Sequence, residues 1–371
     1  MSTLSSDYGA SMAPSTSPTL RDVAREAGVS TTIASRVLNA DPRVRAREDT
    51  REKIHEAAKR LGYVPHSLAR SLRGAKTGAI GLVMHGLDSP INVDVLRGAQ
   101  ARCAESGYVT LLAEAEELAQ NDSQLHAFLT RGRLDGVILH SGYGQEDLLL
   151  EAISRSVPAV LVNAEHDGSV PTVRVDDDAA AALAVQHLLD LGHREIVYVA
   201  GPTGSETSDR RESGYRGALE AAGLSEVPDV VHADWSAKSG TAAADDLLDR
   251  VQLPTGVVVA NAVTAAGLLS RLRAARIAVP RDLSVVAIHD SWFLEHLSVP
   301  LTTVRLPLQA LGGAAARVLI EEIESGDRKG TTAEESVSNN ETACINAARD
   351  ELIREPRPQL IVRGSTGKPR T

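Results

Sequence analysis

Aromatic side chains are scarce in this sequence: two Phe, two Trp and six Tyr make up 3% of 371 residues. Ala, Val, Leu and Ile must therefore build the core, which suits parallel strands covered by helices better than an aromatic-rich sandwich. Cysteine is equally rare. Cys103 and Cys344 stand far apart with no CxxC spacing, which excludes a disulfide framework or a cysteine-ligated zinc and leaves two reduced thiols. No apolar run reaches the ~18 residues a membrane span needs. The first eighteen residues lack the charged start and apolar stretch of a signal peptide. They are rich in Ser, Thr, Pro and Gly, so 1–18 is expected to be a disordered leader and the protein cytoplasmic. Catalytic signatures are missing as well: no GxGxxG follows the first strand, and there is no Walker loop and no GxSxG elbow. His140, His289 and His296 follow no ligand spacing, so neither a metal nor a cofactor is expected.

What is present begins with length and charge. At about 150 residues per domain, the chain has room for a small module and a larger or bilobed one. The net charge of −10 is uneven. Residues 19–76 hold 13 Lys and Arg against 7 Asp and Glu, a surplus of six, so the rest of the chain carries −16. A basic module on an acidic body suggests a nucleic-acid footprint confined to one end.

From Thr19 the text TLRDVAREAGVSTTIASRVLN predicts helix, tight turn, helix. Thr19 caps the first helix with Asp22 as acidic partner, and Val23, Ala24 and Ala27 form its inward stripe. Gly28 turns the chain, Val29 plugs the gap and Ser30 caps a second helix from Thr31 to about Leu38. That helix is expected to bury Ile33, Ala34, Val37 and Leu38. It turns Thr31, Thr32, Ser35 and Arg36 outward, where Arg can fork onto guanine and Thr can meet a base edge or a thymine methyl. A third helix, DTREKIHEAAKRLGY, closes the bundle with Ile54, Ala57, Ala58 and Leu61, and Tyr63 with its basic neighbours is placed to touch phosphates.

DVAREAGVS, SRVLN, TREKI, RLGYVP and LARSLR, in this order, resemble the headpiece of the lac repressor (LacI/GalR) family. The resemblance implies a helix-turn-helix DNA-binding domain over 19–64 and a hinge helix with linker over 65–76. It adds Thr19, Ser30 and Asn39 to the DNA-contacting set, and implies that Leu72 wedges into the minor groove while Ala69 lets paired hinge helices approach. Packing of Leu72 on the body is the alternative. Three features depart from the family: Ile33 and Ala34 replace the usual Thr and Val, the loop DPRVRAREDT is about two residues longer, and His66 replaces an Asn in the DNA-contacting set.

Beyond Thr77, apolar strands alternate with helical stretches: AIGLVMHG, VLRGAQARCAESG, YVTLLAEA, LDGVILHSG, VPAVLVNAE, AAALAVQHLLDLGHR, EIVYVAG, TGVVVANA and SVVAIHD. Such repeats imply parallel sheets with right-handed crossovers. The fold class is thus an N-terminal all-α helix-turn-helix headpiece plus an α/β bilobed core. By resemblance that core, residues 77–371, is periplasmic-binding-protein-like. Lobe one covers about 77–175 and 305–326, lobe two about 176–304 and 327–371, with 324–357 a polar, mobile insertion.

Ligands of α/β sheets gather beyond the carboxyl ends of the strands, which nominates Asp88, His140, Asn163, Arg211, Asn261, His289 and Asp290 for an effector cleft. Arg211, three residues before Gly214, matches the family's effector-gripping arginine; the alternative is a surface ion pair. Asn261 matches the first member of an Asn-Asp pair whose second member is here Ala262, and His289-Asp290 stands where two aspartates are common. These losses disfavour an ordinary sugar and favour a ligand with negative charge. The expected partners are a double-stranded DNA operator, a small-molecule effector (a sugar or related metabolite, in this case anionic) and a second copy of the chain. No leucine-heptad tail points to a tetramer. A transporter-linked binding protein would share the body's fold, and the basic headpiece argues against it.

Overall fold

The computed structural model describes residues 18–38, 44–63, 76–87, 89–90, 92–130, 132–141, 147–164, 170–224, 229–330 and 350–370. Outside them lie the leader up to residue 17, Asn39, the hinge residues His66, Ala69 and Leu72, and also Asp88 and Cys344. The chain divides into two units, Met1–Thr77 and Gly78–Thr371.

Among its described residues the first unit has three helices, α1 (Leu20–Glu26), α2 (Thr31–Leu38) and α3 (Glu48–Leu61). Thr19 and Asp22 form the expected capping box at the start of α1. Gly28 adopts φ +67°, a left-handed conformation that lets the chain reverse within one residue. The Ser30 hydroxyl then accepts the Ile33 amide at 3.3 Å and starts α2. Val23, Ala24, Ala34, Val37, Ile54, Ala57 and Ala58 form the core. Ile33 is a correction: it is 39% exposed. Helical phase accounts for this, because Ala34, Val37 and Leu38 centre the inward face and Ile33 falls about 100° away on its flank.

The second unit consists of two α/β lobes with matching sheets. Lobe one carries β1 (Ala79–Met84), β2 (Val109–Glu114), β3 (Gly136–His140), β4 (Ala159–Val162) and β5 (Thr172–Val175). Its helices are α4 (Asn92–Glu105), α5 (Ala115–Gln120), α6 (Asp122–Leu129) and α7 (Asp147–Ser154). Lobe two carries α8 (Asp177–Asp190), β6 (Ile196–Ala200), α9 (Glu206–Ala221), β7 (Asp229–His232), α10 (Ala237–Leu248), β8 (Gly256–Val259), α11 (Ala262–Ala274), β9 (Ser284–Ile288) and β10 (Thr302–Arg305). The chain then returns to lobe one with α12 (Leu308–Gly330), adds β11 (Asp350–Ile353) there, and ends in lobe two with β12 (Gln359–Ile361).

The strand orders are β11-β5-β4-β3-β1-β2 and β12-β10-β9-β8-β6-β7. All pairings are parallel except β10 with β12. Parallel strands need crossover helices on both faces, so the apolar runs of the inner strands β1, β3, β4, β6, β8 and β9 are buried on both sides, whereas the edge strand β2 keeps exposed apolar positions. Among the described residues the chain passes between the lobes at β5 to α8, β10 to α12, and β11 to β12.

The tail corrects the expected boundaries. Residues 350–353 belong to lobe one, not lobe two, because β11 extends the first sheet beside β5. Thr172 and Arg317 hold it there through Asp350 and Glu351. The span 324–357 is therefore not one mobile insertion, since α12 continues to Gly330 and β11 and the turn after it are ordered. The last residues are sewn into lobe two: the buried Ser365 bonds Val285 and Thr302, and His193 Nε2 meets the Gly367 carbonyl at 2.8 Å.

Candidate functional sites

On the headpiece, Thr31, Thr32, Ile33 and Arg36 are exposed along α2, and Ser35 is half-buried. Short hydroxyls, one branched alkyl group and one guanidinium thus project from the second helix of a helix-turn-helix. Thr19 and Ser30, both exposed, lie at the N-terminal ends of α1 and α2, where backbone N–H groups favour phosphate. Tyr63 follows the left-handed Gly62 that ends α3, half-buried against the headpiece core. Ile33 is the residue that sequence reasoning missed here, and its mismatch with the helical phase was the available signal.

In the core, a cavity of about 660 Å³ opens between the lobes, within the usual size range of small-molecule sites. Segments just beyond strand ends line it: Gly86 after β1, His140 and Ser141 at and after β3, Asn163 after β4, Trp235 after β7, Asn261 after β8 and His289 after β9. Five of the nominated residues come together there: His140, Asn163, Arg211, Asn261 and His289. Asp290 does not. Its carboxylate turns away to Thr303 (2.9 Å), Arg305 (2.5 Å) and Arg363 (2.8 Å), an ion-pair cluster on the β10 side. Burial raises the Asp290 pKa, but these partners outweigh it and hold the group below its ordinary value. His296 sits on the exposed turn Trp292–His296 beside Glu295 and is not part of the cavity wall.

Arg211 is the centre of the site. It is 1% exposed, which removes the surface ion-pair alternative. Its Nε donates to Asp177 (2.8 Å), Nη1 to the Ala260 carbonyl (2.7 Å) and Nη2 to His289 Nε2 (3.3 Å), and its guanidinium lies 5.7 Å from the centre of the Trp235 ring. Gly214 makes this placement possible: a Cβ there would lie 2.2 Å from the Asp178 carbonyl, so α9 can press against α8 and bring Arg211 to Asp177. Beside it, Arg210 and Thr207 reach across the lobes, donating to the Asn163 carbonyl at 3.0 and 3.1 Å, and Arg210 shares Asp177 at 3.2 Å.

Two cleft residues have left-handed backbones, Asn163 (φ +63°) and His289 (φ +72°). Such conformations cost about 1–3 kcal/mol in non-glycine residues and gather at binding sites. Burial, then Arg211, then His140 hold the His289 pKa well below its ordinary value, so the ring is neutral. Asn261 caps α11, its Oδ1 accepting the amides of Val263 (2.5 Å) and Thr264 (3.3 Å). Trp235, Thr207 and Arg210 were not nominated from the sequence; Thr207 and Arg210 lie inside α9, where no strand-end rule reaches, whereas Trp235, three residues past β7, was within its reach.

The family model for bacterial regulatory proteins of the lacI family matches residues 19–66, and that of the periplasmic binding protein-like domain matches 185–341. The ribose operon repressor of Escherichia coli (strain K12) is 33% identical over 310 residues, 82% of this chain and 93% of that protein. The chain belongs to the lacI family. Catabolite control protein A of Priestia megaterium is 31% identical over 307 residues, 81% of this lacI-family chain and 91% of its relative. Among solved structures, the lac repressor dimer bound to operator and the anti-inducer ONPF aligns with TM-score 0.75 at 25% identity, covering 95% of this chain and 100% of that one. The transcriptional regulator CelR–cellobiose complex aligns at 0.65 with 30% identity, covering 94% and 99%. This lacI-family protein is accordingly a DNA-binding transcriptional regulator and not an enzyme. Among the described residues, no helix is long and apolar enough to cross a membrane.

Proposed function

We propose that the chain is a cytoplasmic repressor that binds a pseudo-palindromic operator as a homodimer and responds to a small molecule held between its lobes. The observation that carries the first part is the outward face of α2. Thr31, Thr32, Ser35 and Arg36 are read as its base-contacting set, with Ile33 adding an apolar contact suited to a thymine methyl. Thr19, Ser30 and Tyr63 position the headpiece on phosphates. Asn39, His66, Ala69 and Leu72 keep the roles the family resemblance gives them.

Self-association is supported by β2, an edge strand of lobe one whose Val109, Leu111 and Leu112 are exposed. Large apolar side chains on an open edge invite a partner surface, and a second copy supplies the twofold arrangement that two half-sites require.

Effector control follows from the cleft. Asn163 from lobe one meets Thr207 and Arg210 from lobe two, so a molecule seated among His140, Asn163, Arg211, Asn261 and His289 touches both lobes at once. A ligand that prefers one lobe arrangement shifts the equilibrium by its differential affinity, commonly ~1–3 kcal/mol, or 5- to 150-fold in DNA affinity. The test is selection of bound sequences from random duplex DNA by the full chain, repeated at two salt concentrations because phosphate contacts make affinity salt-dependent. An enriched near-palindrome is expected. Absence of enrichment at both salts overturns the operator reading.

A further inference from the structure

The polar atoms around the cleft are unevenly committed. The side-chain acceptors of Asn261, Asn163, His289 and Asp177 are already taken by protein donors. Asn261 Oδ1 holds two helix amides, Asn163 Oδ1 accepts the Val175 amide at 3.4 Å, and His289 Nε2 faces Arg211 Nη2 at 3.3 Å. Both Asp177 oxygens are occupied, one by Arg211 and one by Arg210. Asp234, the carboxylate among the cavity-lining residues, stands exposed at the rim with Oδ1 bound to the Ser236 amide (2.7 Å) and the Ser239 hydroxyl (2.5 Å).

The donors are in surplus. A guanidinium has five N–H groups, and Arg211 places three on Asp177, Ala260 and His289, which leaves two. Because Arg211 can only donate, His289 Nε2 must accept, and the proton of this neutral ring sits on Nδ1, a buried atom without a hydrogen-bond partner among the described residues. The Asn261 amino group has only a 3.5 Å contact to the Trp235 carbonyl, and with Oδ1 committed the Asn163 amino group is left over. All four side chains are at least nine-tenths buried. A neutral hydroxyl both donates and accepts, whereas a carboxylate or phosphoryl oxygen only accepts.

From this imbalance we infer that the effector is a small anion whose acceptor-only oxygens are bound by Arg211, Asn261 and Asn163, its carbon skeleton lying against Trp235, Val95 and Leu308. The inference rests on the reading of the cleft as the effector site. Burying such an anion is tolerable here because the two guanidiniums of Arg210 and Arg211 share one buried carboxylate, Asp177, which leaves a positive charge in excess; the carboxylate of Glu206, 3.7 Å from Arg210, is exposed to solvent.

The experiment compares probes that differ in one group: D-glucose, D-gluconate, D-glucuronate and D-glucose 6-phosphate, and D-ribose against D-ribonate and D-ribose 5-phosphate. Each is titrated calorimetrically into the full chain and followed by thermal melting. At least one anion is expected to raise the melting temperature by several degrees while its neutral parent does not. The acids against the phosphate esters distinguish a carboxylate from a phosphoryl group. Asn261→Asp keeps the helix cap but replaces the amino donor with a charged acceptor, and it is expected to weaken the active anion at least tenfold. His289→Asp is expected to weaken it similarly and to admit the neutral parent. No shift from any anion overturns the inference, as does a shift from neutral sugars alone. If neutral binding is then lost in Asn261→Asp, the cleft remains the effector site and only the anion is rejected; if binding ignores both substitutions, the cleft reading falls as well.

Discussion

In the headpiece the residues proposed to read DNA are those that pack least, while in the core the residues proposed to hold the effector are those that pack most. Thr31, Thr32, Ile33 and Arg36 contribute little to the three-helix core, whose stability comes from Val23, Ala34, Val37 and Ile54. Arg211, Asn163, Asn261 and His289 are buried; among them Asn261 caps a helix, the Asn163 carbonyl bridges the lobes, and Arg211 donates to His289. Function and stability are therefore separable in the first unit and fused in the second. A surface that must dock on an external duplex is free to change its letters. A cleft that must transmit a lobe movement has to be part of the load path.

The largest expected effect falls on the fused side. Asp177→Ala leaves Arg211 buried without its carboxylate, and loss of one partner of a buried pair costs about 3–5 kcal/mol. Melting of the core should drop by many degrees, and an unchanged melt would show that the cleft carries no stability. Gly214→Val comes next. Its side chain meets the Asp178 backbone, and overpacking of this kind costs about 1–3 kcal/mol or more; the expected result is a lower melting temperature together with a lost effector response.

On the separable side, Arg36→Ala should weaken the selected operator by about 1–3 kcal/mol while leaving the melt within about 0.5 kcal/mol of wild type. A destabilised Arg36→Ala variant would break the comparison. Ile33→Thr is a smaller change, expected to alter base preference at one operator position with no loss of stability, as read by repeating the sequence selection.

Acidity sharpens the contrast further. Burial depresses the pKa of His187, His193 and His289 in the core, whereas the headpiece histidine His55 is exposed. A depressed pKa means the folded core binds fewer protons than the unfolded chain, so its stability falls as pH drops below about 6.5. Between pH 7 and 5 the core transition should move down in calorimetry of the full chain.

Legibility in the sequence followed the same division. The headpiece was readable almost residue by residue because caps, turn glycine and helical period are local, and the single misplacement, Ile33, came from treating a flank position as inward. The alternating strands of both lobes were readable because burial on two faces leaves continuous apolar runs such as AIGLVM and SVVAI. The cleft was half readable. Strand ends nominate His289 and Asn261, but nothing local says that Asp290, next in line, turns its carboxylate to Arg305 and Arg363, or that Arg210 spans the lobes. The place of β11 was hidden for a related reason: its partner β5 lies nearly 180 residues earlier in the chain, and pairing at that distance leaves no local pattern.

That late strand also sets an order of assembly. The headpiece core closes within the first 61 residues, whereas the sheet of lobe one lacks its edge until residue 353 has been made, and lobe two until residue 361. At ~5–20 residues per second, synthesis separates the two events by roughly 15–60 s. The nascent chain thus has a finished DNA-reading surface well before the cleft that governs it exists. On the proposal that an operator is held by two copies, a single nascent headpiece has only half of the contacts that operator binding uses.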